Sequence, residues 1–505
     1  MDNQDTYSVF VRKSAVSDVK ELSNFLAESL DMSFDFIYNR LTTTKSSEVT
    51  IKKQVPKSNI EKLIKGNYSG VYFSRDNSRT YPYNEFLTSV LGFTSTDGKG
   101  QSGLELYYDK YLSGVDGEIL YETDIVGVEI GNSPSYIPAV NGLNLQLTID
   151  FDVQMLCEKA MSDAMEIHQA KRAQMIVIDP STGAIRGLCN KPSYNLNEIP
   201  RDNLDLLNSL SRNSLVSDVY EPGSTFKILT TAANIEEYLK GNKKAYSPNH
   251  IFSSSRYRYI SGQKVKCWNN HQNGKHSNLD IQGGLNNSCN PIFVDMAMAL
   301  GKDVLYEYIN AFNYGSVTGL DFSGESQGMI LPKSSVLDVD LARIAFGQTI
   351  AVTGVQLAAA TSAAINGGVY FTPRLVEKIY DKNGIVAKTF EPVKKRRVIS
   401  EKASSIINQM LEGVVSDGSG KQAYIEGYRV AGKTGTAQKY QDGHIAAGKY
   451  VSSFVGYFPA NAPKYLALVI IDEPVGQYYG STVAAPFAKT VFEGIILTKG
   501  LKPLG

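Results

Sequence analysis

The strongest constraint on the fold is a pair of strand–turn–strand patterns placed far apart in the chain. Met175-Ile176-Val177-Ile178, the turn Asp179-Pro180-Ser181-Thr182-Gly183 and Ala184–Leu188 form the first. Val451–Phe458, Pro459–Lys464 and Tyr465–Ile471 form the second. Short apolar runs on either side of a Pro-containing turn read as hairpin strands. Between them the apolar period is helical, at Phe226–Leu239, Leu285–Leu300, Leu341–Ile365 and Ala403–Val414. Strands at both ends with helices between predict an α+β domain whose sheet joins N- and C-terminal segments. Just ahead of the first pattern, Leu143–Ile149 alternates as a strand. Phe151–His168 follows as an amphipathic helix, with Val153, Leu156, Ala160 and Ala164 on one face.

At 505 residues the chain exceeds one compact core. Composition shifts at Asn141, which divides the chain into residues 1–140 and 141–505. The first part is rich in Lys, Ser, Asn and Tyr, with helical stretches at Val19–Leu30 and Asn59–Ile64 and a Gly- and Tyr-rich segment from Gly66 to Gly117. Lys+Arg and Asp+Glu are each 51, and that balance argues against a nucleic-acid binder. The basic run Lys394-Lys395-Arg396-Arg397 reads as a solvated loop before a helix. No apolar run reaches the ~18 residues needed to span a bilayer. No charged stretch followed by an apolar one marks an export signal. Four cysteines (Cys157, Cys189, Cys267, Cys289) are too few and scattered for a disulfide framework.

Ser224-Thr225-Phe226-Lys227 follows Glu221-Pro222-Gly223 and opens an apolar helix, so Ser224 is expected in its first turn. A spacing of three puts Lys227 on the same face as Ser224. Burial there disfavours the ammonium and makes a neutral general base available, while the helix start favours negative charge beside Ser224. The spacing alone proves little, because Ser17…Lys20 and Ser261…Lys264 share it. Two later motifs change that. Ser288-Cys289-Asn290 heads another apolar helix, and Lys433-Thr434-Gly435-Thr436 precedes the C-terminal strands. A Ser and an amide can relay a proton and hold a substrate amide, and a Lys among hydroxyls can bind a carboxylate. Gly435 is expected to give a substrate backbone room to approach.

Cys267, His271, His276 and Cys289 could form a tetrahedral zinc set. Their spacing is not that of a common zinc finger, and a buried Cys289 packing as a small hydrophobe beside a polar loop fits equally. His168, His250 and His444 have no such neighbours in sequence and read as ordinary surface or loop residues.

Ser-x-x-Lys, Ser-x-Asn and Lys-Thr-Gly in this order are the signature of penicillin-binding proteins and class A β-lactamases. Nearly the whole chain resembles class B penicillin-binding proteins. Thr182-Gly183-Ala184-Ile185 and Lys191-Pro192-Ser193-Tyr194-Asn195 resemble their stretch before the nucleophile. Phe346-Gly347-Gln348 with Val352-Thr353-Gly354-Val355-Gln356-Leu357 resembles division- and sporulation-type members. Ser453-Phe454-Val455-Gly456-Tyr457-Phe458-Pro459-Ala460 resembles the strand after Lys-Thr-Gly-Thr. Arg79-Thr80-Tyr81-Pro82, Leu91-Gly92-Phe93 and Gly103-Leu104-Glu105 resemble the non-catalytic N-terminal module.

The resemblance implies a β-lactamase-like α+β domain, an antiparallel sheet flanked by helices, preceded by an irregular α+β pedestal or dimerisation module that is truncated here. The family's membrane helix is absent at the start of the sequence, so the expectation is an enzyme on the extracytoplasmic face whose anchor is missing from this chain. The implied activity is D,D-transpeptidation of peptidoglycan stem peptides ending in D-Ala-D-Ala, with β-lactams as inhibitors and a glycosyltransferase as partner. Ser224 would be the nucleophile and Lys227 its base, Ser288 would pass a proton to the leaving amine, and Asn290 would hold the substrate amide and Lys227. Lys433, Thr434 and Thr436 would bind the terminal carboxylate, and the N–H groups of Ser224 and Thr436 would form the oxyanion hole. No cofactor is implied for catalysis. Some members carry zinc beside the Ser-x-Asn loop, which favours a structural zinc at Cys289 and His276, then Cys267, with His271 fourth. The alternatives are a D,D-carboxypeptidase or β-lactamase, or a non-catalytic β-lactam sensor.

Overall fold

The computed structural model describes residues 2–120, 135–269, 271, 276–441 and 444–503. It contains two compact units, residues 1–113 with 194–203, and residues 114–193 with 204–505. The division therefore falls at Ser113/Gly114, ahead of the composition shift, and a short later segment joins the first unit. Asn197 explains that addition. Its Oδ1 accepts the Tyr81 N–H at 3.0 Å, and its Nδ2 donates to the Tyr81 carbonyl at 2.8 Å.

The first unit is built on a three-stranded antiparallel sheet of order β2-β1-β3: β1 (Asp2–Arg12), β2 (Glu48–Pro56) and β3 (Val71–Thr80). Helix α1 (Val19–Leu30) starts where the Asp18 side chain accepts the Lys20 and Glu21 N–H groups. It buries Leu22, Leu26 and Leu30 against Val9, Val11, Val49 and Ile51.

The second unit centres on a five-stranded antiparallel sheet. Its strands are β4 (Arg172–Ile178), β5 (Ile185–Lys191), β6 (Ala431–Gln441), β7 (His444–Phe458) and β8 (Tyr465–Asp472), in the order β6-β7-β8-β4-β5. The two distant hairpins meet where β8 pairs with β4, Leu466 opposite Ile178 through Asp472 opposite Arg172. Helix α2 (Phe151–His168) is capped by the Asp150 side chain and buries Val153, Cys157, Ala160, Met161 and Ala164. They share one core with Met175, Val177 and Val469 of the sheet and with Phe487, Val491 and Ile495 near the C-terminus. Helix α3 (Lys227–Leu239) is buried over its first ten residues. Among the described residues no helix is long and apolar enough to cross a membrane.

Three elements differ from expectation. Leu285–Leu300 is not one helix. It breaks between α4 (Ile281–Asn286) and α5 (Asn290–Ala311), where Ser288 takes φ +52° and Pro291 opens the new helix. Leu341–Ile365 likewise divides into α6 (Asp338–Ile344) and α7 (Gly354–Ile365). Gly347 (φ +82°) and Thr349 (φ +62°) turn the chain between them, and Thr353 caps α7 by accepting the Gln356 N–H. The basic run Lys394–Arg397 is a strand paired with Val369–Phe371 rather than a loop. Its side chains hold it there, Lys395 Nζ donating to the Thr318 carbonyl and Arg396 to Asn313 Oδ1.

Candidate active site

Ser224 stands half-buried in a 3-10 turn, Gly223–Phe226, that leads directly into α3. Gly223 at φ +53° bends the chain into this turn and donates its N–H to the Gly347 carbonyl at 3.0 Å. The two backbones touch so closely that a Cβ at Gly347 would lie 2.7 Å from Gly223 N. On the other side the turn meets β6. A Cβ at Gly435 would run into Ser453 Oγ and sit 3.0 Å from Thr225 Cγ2 and 3.1 Å from the Pro222 carbonyl. The glycine therefore makes room for the nucleophile turn.

Lys227 is fully buried, and three acceptors converge on its Nζ. The Ser288 carbonyl lies at 2.8 Å, Ser288 Oγ at 3.0 Å and Asn290 Oδ1 at 2.7 Å. Lys433 is equally buried, and its Nζ donates to the same Ser288 Oγ at 3.1 Å and to the Thr434 carbonyl at 3.2 Å. Burial lowers Lys227 from its ordinary value to about 8. It also holds Lys433 well below the usual lysine range, with the Lys227 charge acting in the same sense. Two amines share one hydroxyl in a buried site, which disfavours two full charges side by side. Around this centre a groove of about 370 Å³ is lined by Ser224, Ser288, Asn290, Thr434 and Thr436.

Ligand atoms of Cys267, His271, His276 and Cys289 all lie within 4.8 Å of one another. Cys289 Sγ is 3.8 Å from His271 Nε2, and His271 Nδ1 meets the Ser254 carbonyl at 3.0 Å. That second contact orients the ring with Nε2 toward the thiols, as outer partners do in metal sites. Hydrogen bonding from Cys289 and the imidazoles draws Cys267 toward its thiolate. His276 is buried, and its Nδ1 has no hydrogen-bond partner among the described residues. A soft, convergent donor set with an orphaned buried nitrogen fits zinc. Asn270 and residues 272–275 of this loop lie outside the described residues. The other three histidines have ordinary surroundings. The His168 ring packs edge-on against Phe487, His250 lies against Tyr246 and Phe252, and His444 is exposed.

The profile of the penicillin-binding protein transpeptidase domain matches residues 173–493. The chain belongs to the penicillin-binding protein transpeptidase family. The profile of the penicillin-binding protein dimerisation domain matches residues 1–147. Among curated penicillin-binding relatives, stage V sporulation protein D of Bacillus subtilis is 36% identical over 99% of this chain and 77% of that protein. Peptidoglycan D,D-transpeptidase FtsI of Escherichia coli K12 is 28% identical over 95% of this chain and 77% of its own length. Among solved structures, a peptidoglycan synthetase from Bifidobacterium adolescentis is 25% identical with a TM-score of 0.78, covering 99% of this chain and 93% of that one. Penicillin-binding protein 3 from Mycobacterium tuberculosis, complexed with aztreonam, is 25% identical with a TM-score of 0.74, covering 85% and 92%.

All eight catalytic and substrate-binding residues expected from this penicillin-binding protein's sequence gather around the nucleophile turn and β6, and the four metal candidates gather beside them. Two participants carry no motif. Ser419 Oγ lies 3.1 Å from Thr434 Oγ1, and its N–H is tied to the Asn286 carbonyl at 2.9 Å, so it bridges the Lys-Thr-Gly strand and the end of α4, just before Ser288. Its only local signal is the Gly418-Ser419-Gly420 context. Trp268 donates its Nε1–H to the Ser288 carbonyl at 3.0 Å, which helps hold Ser288 in its left-handed conformation. As the chain's single Trp, beside Cys267, it was visible in sequence but had no assigned part.

Proposed function

We propose that this penicillin-binding protein is a serine D,D-transpeptidase that cross-links peptidoglycan stem peptides through an acyl-enzyme on Ser224. The observation that carries the reading is Ser288 Oγ set between Lys227 Nζ at 3.0 Å and Lys433 Nζ at 3.1 Å, directly beside the nucleophile turn. Ser224 Oγ attacks the carbonyl of the penultimate D-alanine and gives its proton to neutral Lys227. The N–H groups of Ser224 and Thr436 meet the negative charge that develops on the carbonyl oxygen. The C–N bond then breaks, and Ser288 delivers a proton to the departing amine, refilled from the lysines on either side. Hydroxyls of Thr434, Thr436 and Ser419 receive the terminal carboxylate, with Lys433 Nζ behind them, donating to the Thr434 carbonyl at 3.2 Å. Asn290 positions the substrate amide and Lys227. An amine of a second stem peptide attacks the ester and gives a proton to Lys227; the C–O bond to Ser224 breaks, and Ser224 Oγ takes that proton back from Lys227. β-Lactams, as mimics of the D-alanyl pair, acylate the same serine.

A β-lactamase would need a further base, beside Lys227, that activates water against the ester, and no Asp or Glu is among the described residues that line the groove. The expected result is slow release of bound penicillin together with transfer of a free D-amino acid onto a D-alanyl thioester donor. Rapid catalytic turnover of penicillin without transfer would overturn the reading in favour of a β-lactamase. The substrate lies outside the cytoplasmic membrane, so the reading places the enzyme on that face, working beside a glycosyltransferase in division or sporulation.

Cys267, His271, His276 and Cys289 are assigned as ligands of one structural zinc. When bound, the ion would supply a cross-link between the 264–276 loop and the helix start that carries Ser288 and Asn290. Elemental analysis of protein purified without added zinc is expected to find close to one equivalent. A content far below that contradicts the assignment.

A further inference from the structure

A small cavity of about 120 Å³ opens at one edge of the five-stranded sheet, and it shares no residue with the catalytic groove. β4 begins and β5 ends there, with Ala173 opposite Lys191. Lys171, Arg172 and Lys191 are thereby gathered on two neighbouring strands. Arg212, which follows the helix Leu204–Ser211, adds a fourth cation. No acid lines the cavity among the described residues. Like charges around so small a space repel one another, and an anion between them removes that repulsion.

The acids that pair with these cations stand outside the lining and are shared. Asp218 meets Arg172 Nη1 at 2.7 Å with one oxygen and Arg212 Nε at 2.6 Å with the other. Glu473 meets Lys171 at 3.3 Å, but also Lys439 at 2.7 Å and Lys449 at 3.3 Å, and Asp472 again pairs with Lys439. Lys191 pairs with Glu158 at 2.9 Å. Six cations thus bear on four carboxylates, an excess of two positive charges. Arg172 has five N–H groups and commits Nη1 to Asp218, so it can take an anion without breaking that pair. The polar lining is held in place from behind. Ser214 is buried and donates to Asn190 Oδ1 at 2.9 Å, and Asn190 Nδ2 donates to Asn213 Oδ1 at 3.0 Å. The Lys191 side chain is only 10% exposed, so its ammonium is fixed rather than swinging in solvent.

At roughly 30 Å³ per water the cavity is about four waters large, room for one tetrahedral oxyanion but not for a ring. A phosphate group offers three oxygens to donors arriving from two strands and a helix end, where a carboxylate offers two. Guanidinium groups suit it in geometry as well as charge. Its dianion also matches the excess of two charges. We infer that this cavity binds a terminal phosphate as its dianion, either free phosphate or the end group of a phosphomonoester. The site lies apart from Ser224 and does not rest on the transpeptidase reading.

Calorimetric titration of the native protein with inorganic phosphate, at pH 8 and fixed ionic strength, is expected to give saturable binding of one equivalent. Holding ionic strength constant removes general screening as a cause of the signal. No saturable binding overturns the site. Dimethyl phosphate, a monoanion, is expected to bind about tenfold more weakly or less still, and equal affinity overturns the assignment to a dianion. Arg212→Gln and Lys171→Gln change exposed side chains away from caps and core, so the fold should survive both. Each is expected to weaken phosphate by about tenfold or more, the scale of one charge-assisted hydrogen bond. Affinity unchanged in both variants puts the phosphate elsewhere and overturns the site. Glycerol 3-phosphate separates the two sources. Binding tighter than that of inorganic phosphate identifies a phosphomonoester as the ligand, and equal or weaker binding identifies free phosphate.

Discussion

Ser224→Ala gives a folded protein that no longer releases thiol from a D-alanyl thioester. The hydroxyl stands at the groove while its neighbours Gly223, Thr225 and Phe226 are buried and carry the turn. Thr225 Oγ1 still bonds the Pro222 carbonyl at 2.7 Å, and Gly223 still bonds Gly347 at 3.0 Å. The cost in stability is therefore within ~1 kcal/mol, the ordinary range for a half-exposed site away from a cap or core. Activity behaves differently, because no ester can form. Removing a serine nucleophile in comparable acyl-transfer enzymes costs ~10⁶-fold in turnover, so the thioester signal should fall to the uncatalysed level. A thermal melt alongside the assay separates this from unfolding, and appreciable residual acylation would point to another nucleophile.

The second large effect is at Lys227. Lys227→Ala is expected to slow acylation by ~10²–10⁴-fold, the usual contribution of a positioned general base. It also strips donors from the Ser288 carbonyl, Ser288 Oγ and Asn290 Oδ1 in a buried site, so some loss of stability accompanies it. The native pH profile carries the same information. Burial favours the neutral amine and brings Lys227 down to about 8. The neutral form is the base, so the acylation rate should climb as pH rises toward about 8 and level off above it. A flat profile from pH 6 to 9 would contradict Lys227 as the base.

Much of this was legible in the chain, and what was not has physical causes. The two hairpins and α2 could be read because their apolar period is set by which face they bury. The three motifs could be read because each needs particular residue types in order. Helix breaks at Ser288 and Thr349 could not be read locally. Both are non-glycine residues at positive φ, held by partners distant in sequence: Trp268 at the Ser288 carbonyl and Glu221 at the Thr349 N–H. Gly435 could be read as a place of close approach, but only the fold shows the nucleophile turn packed against it. Ser419 shows the same limit. One hydroxyl between two glycines acquires a part only when the fold brings it beside Thr434.

Intact-mass measurement after incubation with benzylpenicillin, followed by peptide mapping of the adduct, tests the assignment of Ser224 itself. One penicilloyl group per chain on the peptide containing Ser224, absent in Ser224→Ala, is the expected result. An adduct on another residue, or one that persists in Ser224→Ala, would contradict it.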